Sequence, residues 1–146
     1  MRIADILRGK GSSVATVTES TTVAGLLTEL AVHNIGAMVV IGSPGGGGVA
    51  GIVSERDVVR CLHERGPDLL GRPVAEIMSP VSVTCRPDDL VDDLAALMTH
   101  NRVRHVPVLD GGRLAGIVSI GDVVKVRMEE LQDQSRQLQA YITQGG

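Results

Sequence analysis

Ser54 and Asp57 stand three residues apart after the apolar string Gly51-Ile52-Val53, and Ser119 and Asp122 stand the same way after Gly116-Ile117-Val118. Each serine falls where a β-type run gives way to a helical pattern. A hydroxyl there, with the unpaired N–H groups and partial positive charge of a helix start, can hold a phosphate. The aspartates lie about one helical turn further on and face the same mouth. A local reading is also open: the serines cap the helices and the aspartates favour the first-turn dipole. Capping alone does not require a whole string to recur, yet Gly51–Arg60 returns as Gly116–Lys125, a shift of 65. Arg56 can pair with a phosphate, but its counterpart is Gly121, so the two sites cannot be equivalent.

The elements that position these residues are repeated too. Gly36-Ala37-Met38-Val39-Val40 aligns with Arg104-His105-Val106-Pro107-Val108 at a shift of 68, and Ile3-Ala4-Asp5-Ile6-Leu7 with Val74-Ala75-Glu76-Ile77-Met78 at a shift of 71. The first copy has longer loops, near Lys10-Gly11-Ser12 and at Gly45 to Gly48, where insertions cost little. Each copy reads as strand, helix, strand, strand, helix. In the first, Val14 to Val17 is β-rich, Glu19 to Thr22 offers a helix start, and Val23, Leu26, Leu27 and Leu30 form a helical stripe. Ala37 to Ile41 reads as a buried strand, Gly42 to Gly48 as a turn, Val49 to Val53 as a strand, and Ser54 to Gly66 as a helix. In the second, Val83-Thr84-Cys85 is the expected strand and Pro87-Asp88-Asp89 opens a helix lined by Leu90, Leu94, Leu97 and Met98. Strands Val106 to Leu109 and Leu114 to Val118 flank the turn Asp110-Gly111-Gly112. The last helix starts near Ile120 and is striped by Val124, Met128, Leu131, Leu138 and Ile142, with Ser135 interrupting. That stripe exceeds what one half-core needs, which points to a second subunit. The expected division is 1–70, 71–128, and an extended C-terminal helix over 120–143.

Composition excludes several classes. The chain has 146 residues, 43% apolar and 21% charged, as in a globular protein. A net charge of −3 offers no footprint for nucleic acid or an anionic membrane. With no Phe, no Trp and one Tyr, stacking platforms for single strands are missing. No run approaches the ~20 apolar residues of a membrane span. The two cysteines, Cys61 and Cys85, sit at non-equivalent repeat positions and read as reduced, buried thiols of a cytoplasmic protein.

The twin Gly-apolar-apolar-Ser-x-x-Asp strings, the two hairpins and Asn101-Arg102-Val103-Arg104-His105-Val106-Pro107-Val108 together resemble a stand-alone pair of CBS domains, named after cystathionine β-synthase. The resemblance runs from Ile3 to about Val126. It implies a mixed α/β (α+β) module of two pseudo-symmetric β-α-β-β-α repeats packed through their sheets, commonly paired with a second module as a flat disc. It implies two clefts that bind adenosyl compounds: AMP, ADP, ATP, NAD(H) or S-adenosylmethionine. Asp57 and Asp122 would take the ribose hydroxyls, with Ser54, Ser119 and Arg56 towards phosphate. Adenine would lie among aliphatic side chains, with Ile35, Gly36, Ala37, Val103, Arg104, His105, Pro107, Thr16 and Thr84 at the matching positions. His105 is expected to add charge to the second cleft. The implied role is regulatory, through a homodimer and a separate effector protein. A scaffold with vestigial clefts is the rival, and nothing in the sequence supports an enzyme.

Other signals are set aside. Gly46-Gly47-Gly48-Val49-Ala50-Gly51 has the G-x-G-x-x-G spacing, but a β-rich run follows where a dinucleotide fingerprint needs a helix. Gly9-Lys10-Gly11-Ser12 lacks the spacing of a P-loop, which leaves Lys10 as a surface lysine or a rim contact for phosphate. Cys61 and His63, two apart on a helix, do not share a face and make a thin metal signal.

Overall fold

Thr22 starts a helix of the first repeat by accepting the N–H of Gly25 at 3.1 Å, and from this cap the stripe Val23, Leu26 and Leu30 turns inward while Leu27 stays exposed. The computed structural model describes residues 1–11, 14–42 and 48–145. The expected loop at Ser12, most of the turn after Gly42, and the Gly46-Gly47 part of the fingerprint-like string lie outside them. Chain order is α1 (Ile3–Lys10), β1 (Thr16–Thr18), α2 (Val23–His33), β2 (Ala37–Ile41), β3 (Val49–Ser54), α3 (Glu55–Arg65), two short 3-10 turns (Pro67–Gly71 and Val74–Glu76), α4 (Val91–Asn101), β4 (His105–Asp110), β5 (Arg113–Ser119) and α5 (Ile120–Gly145). The class is mixed α/β, as expected.

In the first repeat β2 is central, parallel to β1 and antiparallel to β3, with Met38 opposite Val53. Its unbroken apolar run follows from burial on both faces. In the second, β4 and β5 pair antiparallel with His105 opposite Ser119, joined through Gly111 and Gly112, both at positive φ as a primed hairpin turn requires. Helices α2 and α4 end alike, at the left-handed residues Asn34 and Arg102, which are the same repeat position.

Two expectations change. Val83 to Cys85 is not a strand: only Cys85 pairs with Val108, through Cys85 N–H to Pro107 O at 3.1 Å and Leu109 N–H to Cys85 O at 2.8 Å. Pro107 has no N–H to extend this ladder towards Val83, and Pro87 has none to extend it the other way. The helix expected from Pro87 begins instead at Val91, because Arg86 to Asp89 closes a turn in which Asp89 accepts the Arg86 N–H at 2.8 Å.

The two cores do not coincide with the two repeats. Ile3 and Ile6 of α1 are buried with Val91, Leu94, Met98, Val106 and Val118 of the second repeat. Val74 and Ile77, their counterparts, are buried with Val23, Leu26, Met38 and Val53 of the first. Backbone bridges follow the same exchange, Arg2 to Leu90 and Pro73 to Thr22. Each repeat's leading segment therefore completes the other repeat. The second repeat's leading segment passes close to Gly51, where an added Cβ would lie 2.7 Å from Ser79 O. A side chain does not fit there.

Candidate functional site

Both Ser-x-x-Asp strings form reciprocal caps. Asp57 Oδ2 accepts the Ser54 N–H at 2.8 Å and the Ser54 hydroxyl at 3.0 Å, and the Ser54 hydroxyl oxygen accepts the Asp57 N–H at 3.3 Å. Asp122 Oδ2 accepts the Ser119 N–H at 2.8 Å, while Ser119 Oγ accepts the Asp122 N–H at 3.2 Å. The local capping reading is thus realised in the geometry, and it fixes where each serine and carboxylate stands. Asp57, only 8% exposed, is the one buried charged residue among those described.

A cleft of about 580 Å³ opens beside the first pair. Gly36, Ala37, Ile52, Ser54, Glu55, Arg56 and Asp57 line one wall, and the second repeat supplies the other: Ser79 to Val83, Arg102 to His105, and Pro107. Nine of the expected residues meet here: Gly36, Ala37, Ser54, Arg56, Asp57, Val103, Arg104, His105 and Pro107. Arg56 is joined by Arg102 and Arg104, so this cleft carries cations able to face a phosphate chain. His105 lines this cleft, not the second as expected. The reason is the exchange of walls: residues of β4 face the helix start of the other repeat. Burial pushes the His105 imidazole below its usual pKa, and the Lys10 charge adds to that.

A second cleft, about 350 Å³, is lined by Leu7, Lys10, Gly11, Val14, Ala15, His33, Ile35 and Ala37 of the first repeat and by Gly116 and Ile117 of the second. Ile35 and Ala37 are the expected residues that line it. Ser119 and Asp122 adjoin it through Lys10, whose ammonium donates to Asp122 Oδ2 at 2.8 Å and to Ile117 O at 2.9 Å. Burial alone would raise the Asp122 pKa, but the Lys10 hydrogen bond and the Ser119 N–H outweigh it and hold the carboxyl below its ordinary value.

Thr16 and Thr84 line neither cleft. The lining comes from positions just before them, Val14 and Ala15 in one and Ser82 and Val83 in the other. Sequence reasoning missed Ser79 to Val83 and Arg102 in the first cleft, and Val14, Ala15 and His33 in the second. The shift of 71 that pairs Leu7 with Met78 carries Lys10 onto Val81, so the repeat itself held the signal. Both cysteines are free. Cys85 is buried, its thiol pushed up to about 12 by desolvation, whereas Cys61 is half-buried rather than buried. No helix is long and apolar enough to cross a membrane among the described residues.

The CBS domain model matches this chain twice, over residues 3–64 and 74–129. The mitochondrial CBS domain-containing protein CBSX3 of Arabidopsis thaliana is 35% identical over 99% of this chain and 72% of its own length. The crystal structure of the CBS-domain protein ATU1752 from Agrobacterium tumefaciens is 41% identical, covers 87% of this chain and 99% of that one, and superposes with a TM-score of 0.80. The CBS domain protein PAE2072 from Pyrobaculum aerophilum, solved in complex with AMP, is 30% identical over 84% of this chain and 89% of that one, with a TM-score of 0.74.

Proposed function

The chain belongs to the CBS-domain family, carrying the domain twice, and on that premise we propose that it is a regulatory module that binds an adenine nucleotide between its repeats and passes its state to a partner protein. One observation carries the reading: each capped helix start adjoins a cleft whose walls come from both repeats. A ligand lodged there touches both halves, so it can bias how they sit. The AMP complex of the Pyrobaculum aerophilum relative supports an adenosyl ligand. Asp57 and Asp122 are the proposed ribose acceptors, and Arg56, Arg102 and Arg104 the proposed phosphate contacts of the first cleft. AMP, ADP, ATP, NAD(H) and S-adenosylmethionine are the ligands to screen.

The matched family is a binding module, and we assign the chain no catalysis of its own. Output requires another chain. We propose a homodimer built on α5, where Val124, Met128, Leu131, Leu138 and Ile142 are exposed along one stripe, with an effector protein responding to its state. The two free thiols suit the cytoplasm. A scaffold with vestigial clefts is the rival, favoured by the cationic partner each aspartate already has: Arg60 for Asp57 at 3.0 Å and Lys10 for Asp122 at 2.8 Å. A thermal-shift screen of the five nucleotide types, confirmed by calorimetry, separates the two. Binding of none of them leaves the scaffold.

A further inference from the structure

The two aspartates differ in where their cation comes from. Arg60 reaches Asp57 from one turn further along the same helix. Lys10 reaches Asp122 from the other repeat, at the end of α1, and also donates to Ile117 O. At the equivalent point of the first cleft stands Val81, which cannot form such a bond. Lys10 lines the second cleft and is bound to the carboxylate that the nucleotide-binding reading, on which this inference rests, gives to the ribose.

Two demands then meet on Asp122. A ribose diol needs its carboxylate as acceptor, and Lys10 already uses it. Letting go of that carboxylate leaves an ammonium in a half-buried cleft without a counter-charge, which is unfavourable. An uncharged nucleoside offers no replacement. A phosphate does, with oxygens that accept charge-assisted hydrogen bonds as a carboxylate does. The four-carbon stem and freely rotating ammonium of lysine can pivot from one anion to the other.

We propose that Lys10 is the specificity-determining residue of the second cleft, guarding Asp122 and yielding it to phosphorylated adenosyl ligands in preference to the bare nucleoside. The first cleft, with Val81 at that point, lacks this guard.

The test compares AMP with adenosine on the full chain by calorimetry, with the backbone amide shifts of Gly116 and Ile117 reporting the second cleft. In the wild type, AMP should bind there at least about tenfold more tightly than adenosine. Lys10→Met should erase that preference, weakening AMP about tenfold or more while adenosine binds no worse. Lys10→Arg, which retains a cation, should keep it. Lys10→Gln should follow Lys10→Met, with circular dichroism confirming that each variant is folded. Equal wild-type affinities, or an equal loss of both ligands in Lys10→Met, overturns the role of Lys10 and leaves nucleotide binding standing. If neither ligand moves the Gly116 and Ile117 amides, the binding reading of this cleft fails and Lys10 falls with it.

Discussion

Leu7 of α1 fills the space that a side chain at Gly116 of β5 would need: an added Cβ would stand 2.5 Å from Leu7 Cδ2. Gly116 is the repeat partner of Gly51, whose added Cβ would meet the Ser79 carbonyl at 2.7 Å and Met78 Sδ at 3.0 Å. The repeated glycine thus marks, in both copies, where the exchanged segment crosses a strand. The obstacles differ in kind, one a flexible methyl and the other main chain. Gly51→Ala should therefore cost more than Gly116→Ala, with Gly51→Ala at the upper end of about 1–3 kcal/mol for overpacking. Urea unfolding of the two variants checks the order, and the reverse order would show that Ser79 gives way more readily than Leu7.

Residues 1–70 should not fold alone. They lack Val74 and Ile77, which are buried in the first core, and leave Ile3 and Ile6 without the second. The expected result is no cooperative melt for 1–70, and recovery of one when 71–146 is added. A cooperative transition of the fragment by itself would mean that the exchange is dispensable.

Stability should fall in acid in two steps. Burial holds His105 below the usual histidine value, so the unfolded chain takes up that proton first, and stability declines as pH drops below about 6.5. Asp122 is depressed below the ordinary carboxylate value of about 3.9, so its contribution is intact above that pH and is lost as pH falls through the folded value. His105→Gln should flatten the upper step and Asp122→Asn the lower. Melting temperatures at a series of pH values report both, and a wild-type-like upper step in His105→Gln would exclude the imidazole as its source.

A bound nucleotide at ~100 times its dissociation constant should add about 2.7 kcal/mol to the fold, a melting shift of several degrees. Asp57→Asn and Asp122→Asn should each reduce it, and unequally. The first cleft, with Arg56, Arg102 and Arg104, should prefer the more highly charged phosphate chain. Calorimetry of ATP against AMP on each variant reads that preference.

Light scattering should report about twice the 15.3 kDa chain mass. Leu131, 58% exposed midway along the stripe of α5, is the position to test, and Leu131→Asp should shift the protein towards monomer. A monomeric wild type at high micromolar concentration would remove the dimer.

Much of this architecture is legible in the chain because the signals are local. Thr22 as a cap, the apolar run of β2 and the paired glycines of the β4–β5 turn all act within a few residues. What is hidden is set by distance. The Val83-Thr84-Cys85 run has strand character, but Pro107, some twenty positions away, decides that it cannot pair as one. Nothing near Ile3 shows that its neighbours are Val91 and Leu94. His105 stands opposite Ser119 with Asp122 nearby, yet it lines the first cleft, because the cleft walls cross between repeats and a repeat read alone gives no hint of that. Lys10 reads as a surface lysine or a rim contact for phosphate, and only the fold places Asp122 at its tip.

The exchange of leading segments also imposes a schedule on synthesis. Helix α1 leaves the ribosome well before the second repeat, yet the backbone partners of Ile3 and Ala4 are the carbonyls of Asp89 and Pro87. At roughly 5–20 residues per second, α1 waits several seconds or more before those partners are made. During that interval Ile3 and Ile6 have no core to enter. A helix made before the second repeat is thus secured only after it, and a premature stop in the second repeat strands the first.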